Sequence, residues 1–591
     1  MTAFDLWAPF ADRVRLVLGG ETLEGDTLEH GDREVYTMAA GHDGWWHIDV
    51  ESAVPGTDYG FLLDDDTDLL PDPRTRWQPH GVHGTSRVYD QAAFTWTDTA
   101  WTGRALPGAV IYELHVGTFT PGGTFDGAID RLDHLAELGI THVELLPVNA
   151  VNGTWNWGYD GVDWYAVHHP YGGPDGLKRF VDACHARGLA VLLDVVYNHL
   201  GPSGNYLPRF GPYLKQGRNT WGDLVNLDGP QNAPVRRFII ENALMWLDDF
   251  HVDGLRIDAV HALQDHSQTH VLAEMATEAG ALQAHVRRPL VLIAESDLND
   301  AAMVAPREAH GYGMAGQWDD DVHHALHAVL TGEHQGYYAD FGSLEVLAKV
   351  LTSVFLHDGT YSSFRERMHG RPVDRSRTAG FRFVVCLQNH DQVGNRAVGD
   401  RLPELATRGM LEVGAVLLLT SPFTPMLWMG EEWAASTRWP FFTSHPEPEL
   451  AEATARGRLA EFDSHGWDVA EVIDPQDPAA YETAILAWDE VAEPDHAGML
   501  DLYRALIDLR HTEPDLSDPR LDRVDVSFDE DERWFVVHRG SLRVLVNFAA
   551  TAQTVPVGDL DEVLYSTGDV ELTGAGAVLA GESAAVVRLP A

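Results

Sequence analysis

Apolar runs of strand length alternate with amphipathic helical stretches from about residue 108 onward. That alternation is typical of βαβ units, in which parallel strands form one sheet covered by helices. Eight such runs occur, at 110–116, 142–148, 190–197, 254–260, 290–296, 315–320, 383–391 and 424–432. The sixth run is weak as a strand and is included partly because the pattern needs it. Eight strands alternating with helices predict an α/β fold with a (β/α)8 barrel.

The helical stretches between the runs carry apolar residues at a helical period. In 126–139, Ile129, Leu132 and Leu135 share one face, and Gly139 can end the helix. The stretches 175–188, 233–251 and 499–511 have the same character. We therefore expect amphipathic helices packed around the barrel.

Both flanks of the barrel region have a different pattern. Residues 1–95 contain short apolar runs separated by Gly, Asp and Pro turns, which predicts an N-terminal β-sandwich. The barrel domain is expected at 96–515, with an acidic helical excursion near 435–480. Short strands return in 516–591, which predicts a C-terminal antiparallel β-domain.

Charge and cysteine content restrict the kind of partner. The 591 residues include 41 Lys and Arg against 90 Asp and Glu, a formal net charge of −49. This balance argues against nucleic acid or an anionic membrane surface, although it is also compatible with a solubility or high-salt adaptation. Two cysteines, Cys184 and Cys386, offer neither a disulfide framework nor zinc-like spacing. With no signal-peptide pattern and no membrane-length apolar run, we expect a cytoplasmic protein.

Polar residues collect where the predicted strands end, which is the face on which barrel enzymes carry their active sites. They are His115, Asp194, His199, Arg256, Asp258, Glu295, Asp320, His390, Asp391, Glu431 and Glu432. An open doubly wound sheet would not be expected to load nearly every strand end in this way. The pattern predicts a catalytic site built from several strands.

Two of these carboxylates have surroundings that separate their pKa values. Arg256 and Asp258 lie two apart on a strand and share a face, so the arginine keeps the aspartate ionised, as a nucleophile requires. Glu295 ends the apolar run 290–294, and such surroundings raise a carboxyl pKa, as a general acid requires. The alternatives are an Arg–Asp pair that only ties the barrel together and a glutamate that only caps a helix.

Two further motifs complete the set. Asp391 follows His390, so a third carboxylate can stabilise a cationic transition state while the histidine donates to the sugar. The alternative is a polar loop with a satisfied histidine. Asp194 and His199 frame the end of the third run; Asp194 alternatively only anchors Arg256, whereas His199 is expected to contact sugar.

Together, DVVYNH (194–199), GLRIDAVH (254–261), LIAES (292–296) and QNHDQVGNR (388–396) resemble the four motifs of the α-amylase superfamily, glycoside hydrolase family 13. The resemblance covers about 108–435. It implies that Asp258 is the nucleophile, Glu295 the acid/base and Asp391 the transition-state stabiliser. It also implies sugar contacts for Arg256, His199, His390, His261, Gln392 and Asn395, with Tyr159 stacked beneath the first ring.

Longer stretches, above all 317–341 and 387–401, resemble the maltooligosyltrehalose trehalohydrolases of that superfamily. The resemblance implies a retaining hydrolase that acts on maltooligosyl trehalose and α-1,4-glucan oligosaccharides, cutting the α-1,4 bond next to the terminal trehalose. Residues that could shape subsites past the cleavage point are Asp320, Asp321, His323 and His324. No cofactor is implied, and a maltooligosyl trehalose synthase is the implied pathway partner.

The sequence disfavours four other interpretations. A metal site at the Asp–His cluster of 320–324 is disfavoured because adjacent helical histidines diverge, and a calcium site near Asn198 lacks a full ligand set; no metal is expected. A glycogen-branching or debranching enzyme of the same superfamily is an alternative that the 317–341 stretch disfavours. The other is a non-catalytic carbohydrate-binding barrel, which retention of all three carboxylates disfavours.

Overall fold

A computed structural model describes residues 1–19, 33–464 and 472–590, with the side chains of 460–464 left aside. Eight parallel strands close into one barrel in it, each starting inside one of the eight predicted runs. The prediction of a barrel is confirmed, including its weak sixth strand. The strands are β1 (Ile111–Leu114), β2 (His142–Leu145), β3 (Ala190–Val195), β4 (Gly254–Ile257), β5 (Val291–Ala294), β6 (Gly316–Trp318), β7 (Phe383–Cys386) and β8 (Thr424–Trp428).

Helices follow most barrel strands and pack against their outer face. The predicted helix at 126–139 is wrong in one respect, because it is two helices separated by Asp130 and Arg131. The Arg131 amide bonds to the Ala128 carbonyl, three residues back, and this tighter turn interrupts the helix. Gly139 ends the second of them at φ 94°, as expected. The helices are Val116–Phe119, Phe125–Ile129, Leu132–Leu138, Gly173–Ala186, Leu207–Phe210, Asn232–Asp248, Val271–Val286, Asp320–Thr331, Leu344–Ser353, His390–Gly394, Leu402–Leu405, Arg408–Thr420, Pro448–Ser464, Pro478–Ala484, Pro494–Thr512 and Pro514–Ser517.

Two antiparallel sheets precede the barrel. One orders Thr2–Trp7, Trp45–Val50 and Ala39–Ala40; the other orders Glu34–Thr37, Val14–Leu18, Asp58–Leu63 and Ser86–Arg87. The rings of Phe4 and Tyr59 meet edge to face between the two sheets, with centroids 4.9 Å apart. The two sheets therefore share a core, as a sandwich does.

Strands return after the barrel in two antiparallel sheets. The larger orders Val524–Asp529, Trp534–Arg539, Leu542–Asn547, Ser583–Arg588 and Glu562–Ser566; the smaller orders Gln553–Val555, Gly576–Leu579 and Val570–Thr573. The predicted excursion near 435–480 contains the helices Pro448–Ser464 and Pro478–Ala484. Its residues 465–471 lie outside the described part of the chain. None of the helices described there or elsewhere is long and apolar enough to cross a membrane.

Three short antiparallel pairs lie in connections of the barrel, the first two between a strand and the next long helix and the third between the helix Leu344–Ser353 and β7. They are Asn149–Ala150 with Asp163–Val167, Leu214–Arg218 with Asp223–Val225, and Thr360–Ser362 with Arg367–His369. Connections after barrel strands lie on the face where barrel enzymes hold substrate. The first two pairs therefore extend the walls of the barrel mouth, and the third lies beside them, because Arg365 between its strands pairs with Asp297 after β5.

The interior of the barrel carries charged side chains. Asp194 on β3 stands beside Arg256 on β4, and Glu113 on β1 stands beside Glu144 on β2. All four side chains are buried. Burying a charge costs free energy unless an opposite charge or hydrogen bonds compensate it, so these groups are expected to be paired and functional.

One glycine of β4 sets the spacing between β4 and β5. A Cβ on Gly254 would lie 2.4 Å from the Val291 carbonyl oxygen of β5. Gly254→Ala should therefore lower the free energy of unfolding by about 1–3 kcal/mol through overpacking. Gly280→Ala is the matched control, because that glycine is exposed on a helix with no atom near its Cβ position, and alanine should stabilise it by about 1 kcal/mol. Thermal and urea unfolding measure both variants, and equal stability would refute this account of β4.

Candidate active site

Arg256 lies at the centre of the barrel mouth and its side chain is fully buried. Its Nη1 donates to Asp194 Oδ2 at 2.7 Å and to Asp258 Oδ1 at 2.8 Å, and its Nη2 lies 3.0 Å from Glu295 Oε2. The ring of Trp318 covers the guanidinium, with Cζ 4.3 Å from the ring centroid. One cation therefore holds three carboxylates from β3, β4 and β5 in a single cluster.

Asp258 follows β4 directly, and part of its carboxylate is exposed to the barrel mouth. Its side chain is 12% exposed, and its Oδ2 accepts a hydrogen bond of 2.6 Å from Asn198 Nδ2. Each carboxylate oxygen thus accepts a hydrogen bond, and the two bonds hold the carboxylate in the fixed orientation that a nucleophile needs.

The backbone turns sharply after Asp258. Ala259 adopts φ 38° and ψ 53°, a left-handed conformation that costs a non-glycine residue free energy. The turn aims the Ala259 amide at Glu295 Oε2, which accepts its hydrogen at 2.7 Å. The strain therefore serves to lock the position of Glu295 beside Asp258.

The acidity of Glu295 depends on its burial and on the charges around it. Burial raises its pKa well above 4.5, Arg256 opposes this, and the negative charges of Asp258 and Asp391 raise it further. The carboxyl therefore keeps its proton to higher pH than an ordinary glutamate does. A protonated carboxyl beside an ionised one matches the requirement for a general acid next to a nucleophile.

Asp391 and His390 form a charged pair at the end of β7. Burial raises the pKa of Asp391, but the His390 charge and hydrogen bond outweigh it and lower that pKa to about 2. His390 Nδ1 lies 2.6 Å from Glu113 Oε1 and its Nε2 lies 3.2 Å from Asp391 Oδ2. Burial lowers the pKa of His390, but these two carboxylates raise it well above 6.5. His390 is therefore a buried imidazolium that keeps Asp391 ionised.

Tyr159 connects the two charged groups. Its hydroxyl donates to Asp194 Oδ2 at 2.6 Å and lies 2.7 Å from His390 Nε2, and its ring stacks on the imidazole with centroids 5.2 Å apart. The ring is half-buried, so part of it borders the mouth. This position is compatible with the expected stacking beneath a sugar, which stays a prediction.

His199 and His261 lie on the wall beside Asp258. His199 bonds through Nδ1 to Asn198 Oδ1 at 2.6 Å, and the exposed His261 accepts a 3.3 Å hydrogen bond from the Asp297 amide. Trp221 lies 6.1 Å from both imidazole rings and is 49% exposed. Because its ring is exposed beside both histidines, Trp221 adds an apolar surface to this wall.

Gln392 lies in the short helix that contains Asp391, and Asn395 directly follows that helix. Asn395 donates to Asp391 Oδ1 at 3.2 Å and accepts from Arg458 at 2.9 Å. Gln392 donates its amide hydrogen to Asn389, while its side-chain oxygen is buried with no hydrogen-bond partner among the described residues. Asn395 therefore orients Asp391, and contact of Gln392 with sugar stays a prediction.

The four residues predicted to shape subsites past the cleavage point divide into two groups. Asp320 is half-buried, and burial together with the charges of Asp297 and Asp391 raises its pKa to about 7. The buried Asp321 instead accepts amide hydrogens of Leu356 and His357 at 2.8 and 3.1 Å. Asp320 therefore borders the mouth, and Asp321 fixes a loop behind it.

The two histidines of this group are nearly inaccessible. His323 is 1% exposed and lies 3.2 Å from the Tyr338 hydroxyl, while His324 is 5% exposed and stacks on Tyr337 at 4.8 Å. The two histidine rings pack against Tyr338 and Tyr337, which follow the helix. The structure therefore favours a role in holding these tyrosines over direct contact with sugar. Direct contact stays a prediction for both, which their burial does not favour.

No cluster of three or more His, Cys, Asp or Glu side chains placed to hold a metal ion occurs in residues 1–19, 33–464 or 472–590. The Asp and His side chains of 320–324 have partners on different sides of their helix. Their divergence is the geometry expected for consecutive helical residues.

Comparison with known proteins identifies relatives of this chain. Residues 87–223 match the family model of the α-amylase catalytic domain, and residues 519–586 match a domain of unknown function, DUF3459. The malto-oligosyltrehalose trehalohydrolase of Rhizobium sp. strain M-11 is 54% identical over 99% of this chain and 97% of its own length. That of Arthrobacter ramosus is 54% identical over 99% of both chains.

The chain belongs to the malto-oligosyltrehalose trehalohydrolase family. A 1.4 Å crystal structure from Salmonella typhimurium, of a protein provisionally named α-amylase, has the same fold with a TM-score of 0.89. It is 38% identical and covers 99% of this chain and 97% of its own. The recognition drawn from the four motifs and the 317–341 stretch is confirmed at the level of the family.

The sequence of this family member did not lead us to predict Glu113 or Trp318 as site residues. It also did not predict a contact between Asn198 and Asp258. Glu113 stands in an otherwise apolar strand, and a buried charge in such a run is a signal that could have been used. Trp318 and Asn198 gave no such signal, because their roles depend on contacts with residues far apart in sequence.

The Glu113–His390 pair predicts a pH effect for this trehalohydrolase family member. Glu113→Gln removes the negative charge that raises the pKa of His390, so His390 should lose its proton at lower pH and cease to stabilise ionised Asp391. The loss of kcat/KM should grow toward the alkaline end of the pH profile, reaching at least about tenfold.

Glu404→Gln is the control, because the Glu404 carboxylate pairs with Arg438 near the surface, away from His390 and Asp391. Circular dichroism confirms that both variants are folded. A loss of the same size at every pH would show that Glu113 does not act through the charge of His390.

Proposed function

We propose that this protein hydrolyses the α-1,4-glucosidic bond next to the terminal trehalose of maltooligosyl trehalose, releasing trehalose and a maltooligosaccharide. The observation that carries the proposal is the Arg256 cluster, which places Asp258 beside a proton-holding Glu295. The names of the relatives that are 54% identical supply the substrate. The same relatives disfavour a branching or debranching activity.

In the first step, Asp258 attacks the anomeric carbon of the glucose next to trehalose. The glycosidic bond breaks as its electron pair moves to the leaving oxygen, and Glu295 gives that oxygen its proton. Trehalose leaves, and the glucan remains bound to Asp258 as an ester.

In the second step, ionised Glu295 takes a proton from water while the water oxygen attacks the same carbon. The ester bond breaks, Asp258 becomes a free carboxylate again, and Glu295 recovers its proton. Two inversions at one carbon retain the α configuration.

Asp391 and His390 support the charge that develops on the sugar. An oxocarbenium-like transition state is positive, so an ionised carboxylate at the mouth stabilises it relative to the neutral substrate. The low pKa of Asp391 keeps it ionised throughout the range in which Glu295 still holds its proton.

The trehalose unit is placed by the wall that carries Asp320. Asp297 pairs with Arg365 there, and Phe364 is 41% exposed next to that arginine. Carboxylates and a guanidinium can bond the hydroxyls of a non-reducing disaccharide, while the apolar ring contacts a sugar face. Direct contact from this wall distinguishes a trehalose end from a plain glucan end.

The cellular setting belongs to the same proposal. Both cysteines are free and buried, which suits a reducing cytoplasm. A reaction that forms the trehalose end on an α-1,4-glucan must supply the substrate, and a maltooligosyl trehalose synthase performs it. No cofactor enters either step.

The substrate assignment is tested by a matched pair of oligosaccharides. Maltotriosyl trehalose and maltopentaose have the same number of glucose units and differ at the end that the Asp320 wall would contact. Free trehalose should form from the first, with kcat/KM at least about 100-fold above that for cleavage of the second, a difference of about 2.7 kcal/mol in transition-state binding.

An Asp258→Asn preparation is the control for contaminating glucosidases, and it should release no product from either sugar. Comparable cleavage of both oligosaccharides by the unaltered protein would refute the trehalose specificity. Formation of α-1,6 branches would instead establish the branching alternative.

A further inference from the structure

A second cleft lies outside the barrel mouth, between the segment that joins the N-terminal sheets to the barrel and the helix Gly173–Ala186. Its volume is about 470 Å³, within the range of roughly 300–1,000 Å³ typical of small-molecule sites. Three aromatic side chains line it, and two carboxylates and a guanidinium contribute the polar part. They are Trp77, Tyr89, Phe94, Asp90, Asp175 and Arg179.

The aromatic side chains are held in place before any ligand arrives. The Tyr89 hydroxyl donates to Asp175 Oδ1 at 2.6 Å, and Trp77 Nε1 donates to His169 Nδ1 at 3.2 Å. Lys178 Nζ lies 5.2 Å from the centre of the Tyr89 ring and 5.8 Å from that of Phe94. A ligand would therefore meet fixed rings, which lowers the entropy cost of binding.

The polar groups of the cleft are also oriented. Arg179 forms two parallel hydrogen bonds to Asp126, of 2.9 and 2.8 Å, from its Nε and Nη2. Its Nη1 is the remaining donor for a ligand, and Asp175 Oδ2 and the Asp90 carboxylate are acceptors. Donors and acceptors of this kind around aromatic rings match a neutral, hydroxyl-rich ring better than an anion, which Asp90 and Asp175 would repel.

We propose that this cleft binds glucosyl units of an α-1,4-glucan as a site separate from the active site. Ring faces of glucose would pack on the aromatic side chains, and its hydroxyls would bond Asp90, Asp175 and Arg179. The glucan identity of the ligand rests on the proposed function. The contacts that fix the cleft run to Asp126 and His169, whereas those of Asp258 and Glu295 run to Arg256. Occupancy would hold a long chain on the enzyme without altering the chemistry of the mouth.

Two neighbouring alanines provide a matched test. Ala93 and Ala92 are both exposed, and only Ala93 lines the cleft. In Ala93→Arg the long side chain would fill the space and pair with Asp90 or Asp175, removing no existing side-chain contact. Ala92→Arg adds the same charge and bulk next to the cleft.

Both variants are made in the Asp258→Asn background, and maltotetraose is titrated into each by calorimetry. The Asp258→Asn protein and its Ala92→Arg variant should bind two molecules of maltotetraose. The Ala93→Arg variant should bind only one, because the substitution should weaken the binding of maltotetraose in the cleft at least about tenfold. Two molecules bound by Ala93→Arg, or one bound by all three proteins, would overturn the proposal.

Activity separates this proposal from the proposed function. With Asp258 intact, Ala93→Arg should release trehalose from maltotriosyl trehalose at the unaltered rate, because the short substrate fits within the mouth. If no protein releases trehalose, the proposed function fails while the calorimetric count still reports on the cleft. If trehalose is released and the count does not change, only the second site fails.

Discussion

The buried guanidinium of Arg256 is the interaction on which the site depends. An isolated cation inside a barrel would be prohibitively costly, so its burial requires the carboxylates of Asp194, Asp258 and Glu295 around it. Three acidic groups around one positive charge cannot all ionise as freely as in water. Burial raises the pKa of Glu295 and the negative charges of Asp258 and Asp391 raise it further, so Glu295 keeps a proton beside Asp258, and that division of roles is the basis of the two-step hydrolysis.

Backbone geometry delivers these groups to one point. The register between β3 and β4 sets Asp194 opposite Arg256, and the left-handed turn at Ala259 directs an amide at Glu295. A second buried ion pair joins Glu113 on β1 to His390 after β7. This pair fixes the positive charge of His390 beside Asp391. The catalytic acidities are therefore properties of the closed barrel, since no single segment contains both members of any of these long-range pairs.

Much of the fold and of the candidate site could be predicted from the sequence, because the barrel strands and the residues at their ends have local signals. Seven strands lie within runs recognised by their apolar character and the sixth within a run that the alternation required, and the three proposed catalytic carboxylates lie in three of those runs, beyond the end of the strand. The break at Asp130 and Arg131 was missed because a tight turn of this kind preserves the apolar spacing on both sides.

The residues that escaped prediction act over long distances along the chain. Glu113 meets His390 across 277 positions, and Asn198 meets Asp258 across 60. Asp321 could not be separated from Asp320 either, because its role depends on amides 35 and 36 residues later. Local patterns give the type of a residue, whereas these partnerships exist only after the barrel has closed.

The central claim is that Arg256 holds Asp258 as the ionised nucleophile of a double-displacement reaction. A fluorinated α-glucosyl fluoride whose glycosyl ester hydrolyses slowly should accumulate on the protein, and peptide mass spectrometry locates the ester. The account predicts one equivalent of label on Asp258. Label on Glu295 or Asp391, or turnover of the reagent with inversion and no covalent label, would contradict it.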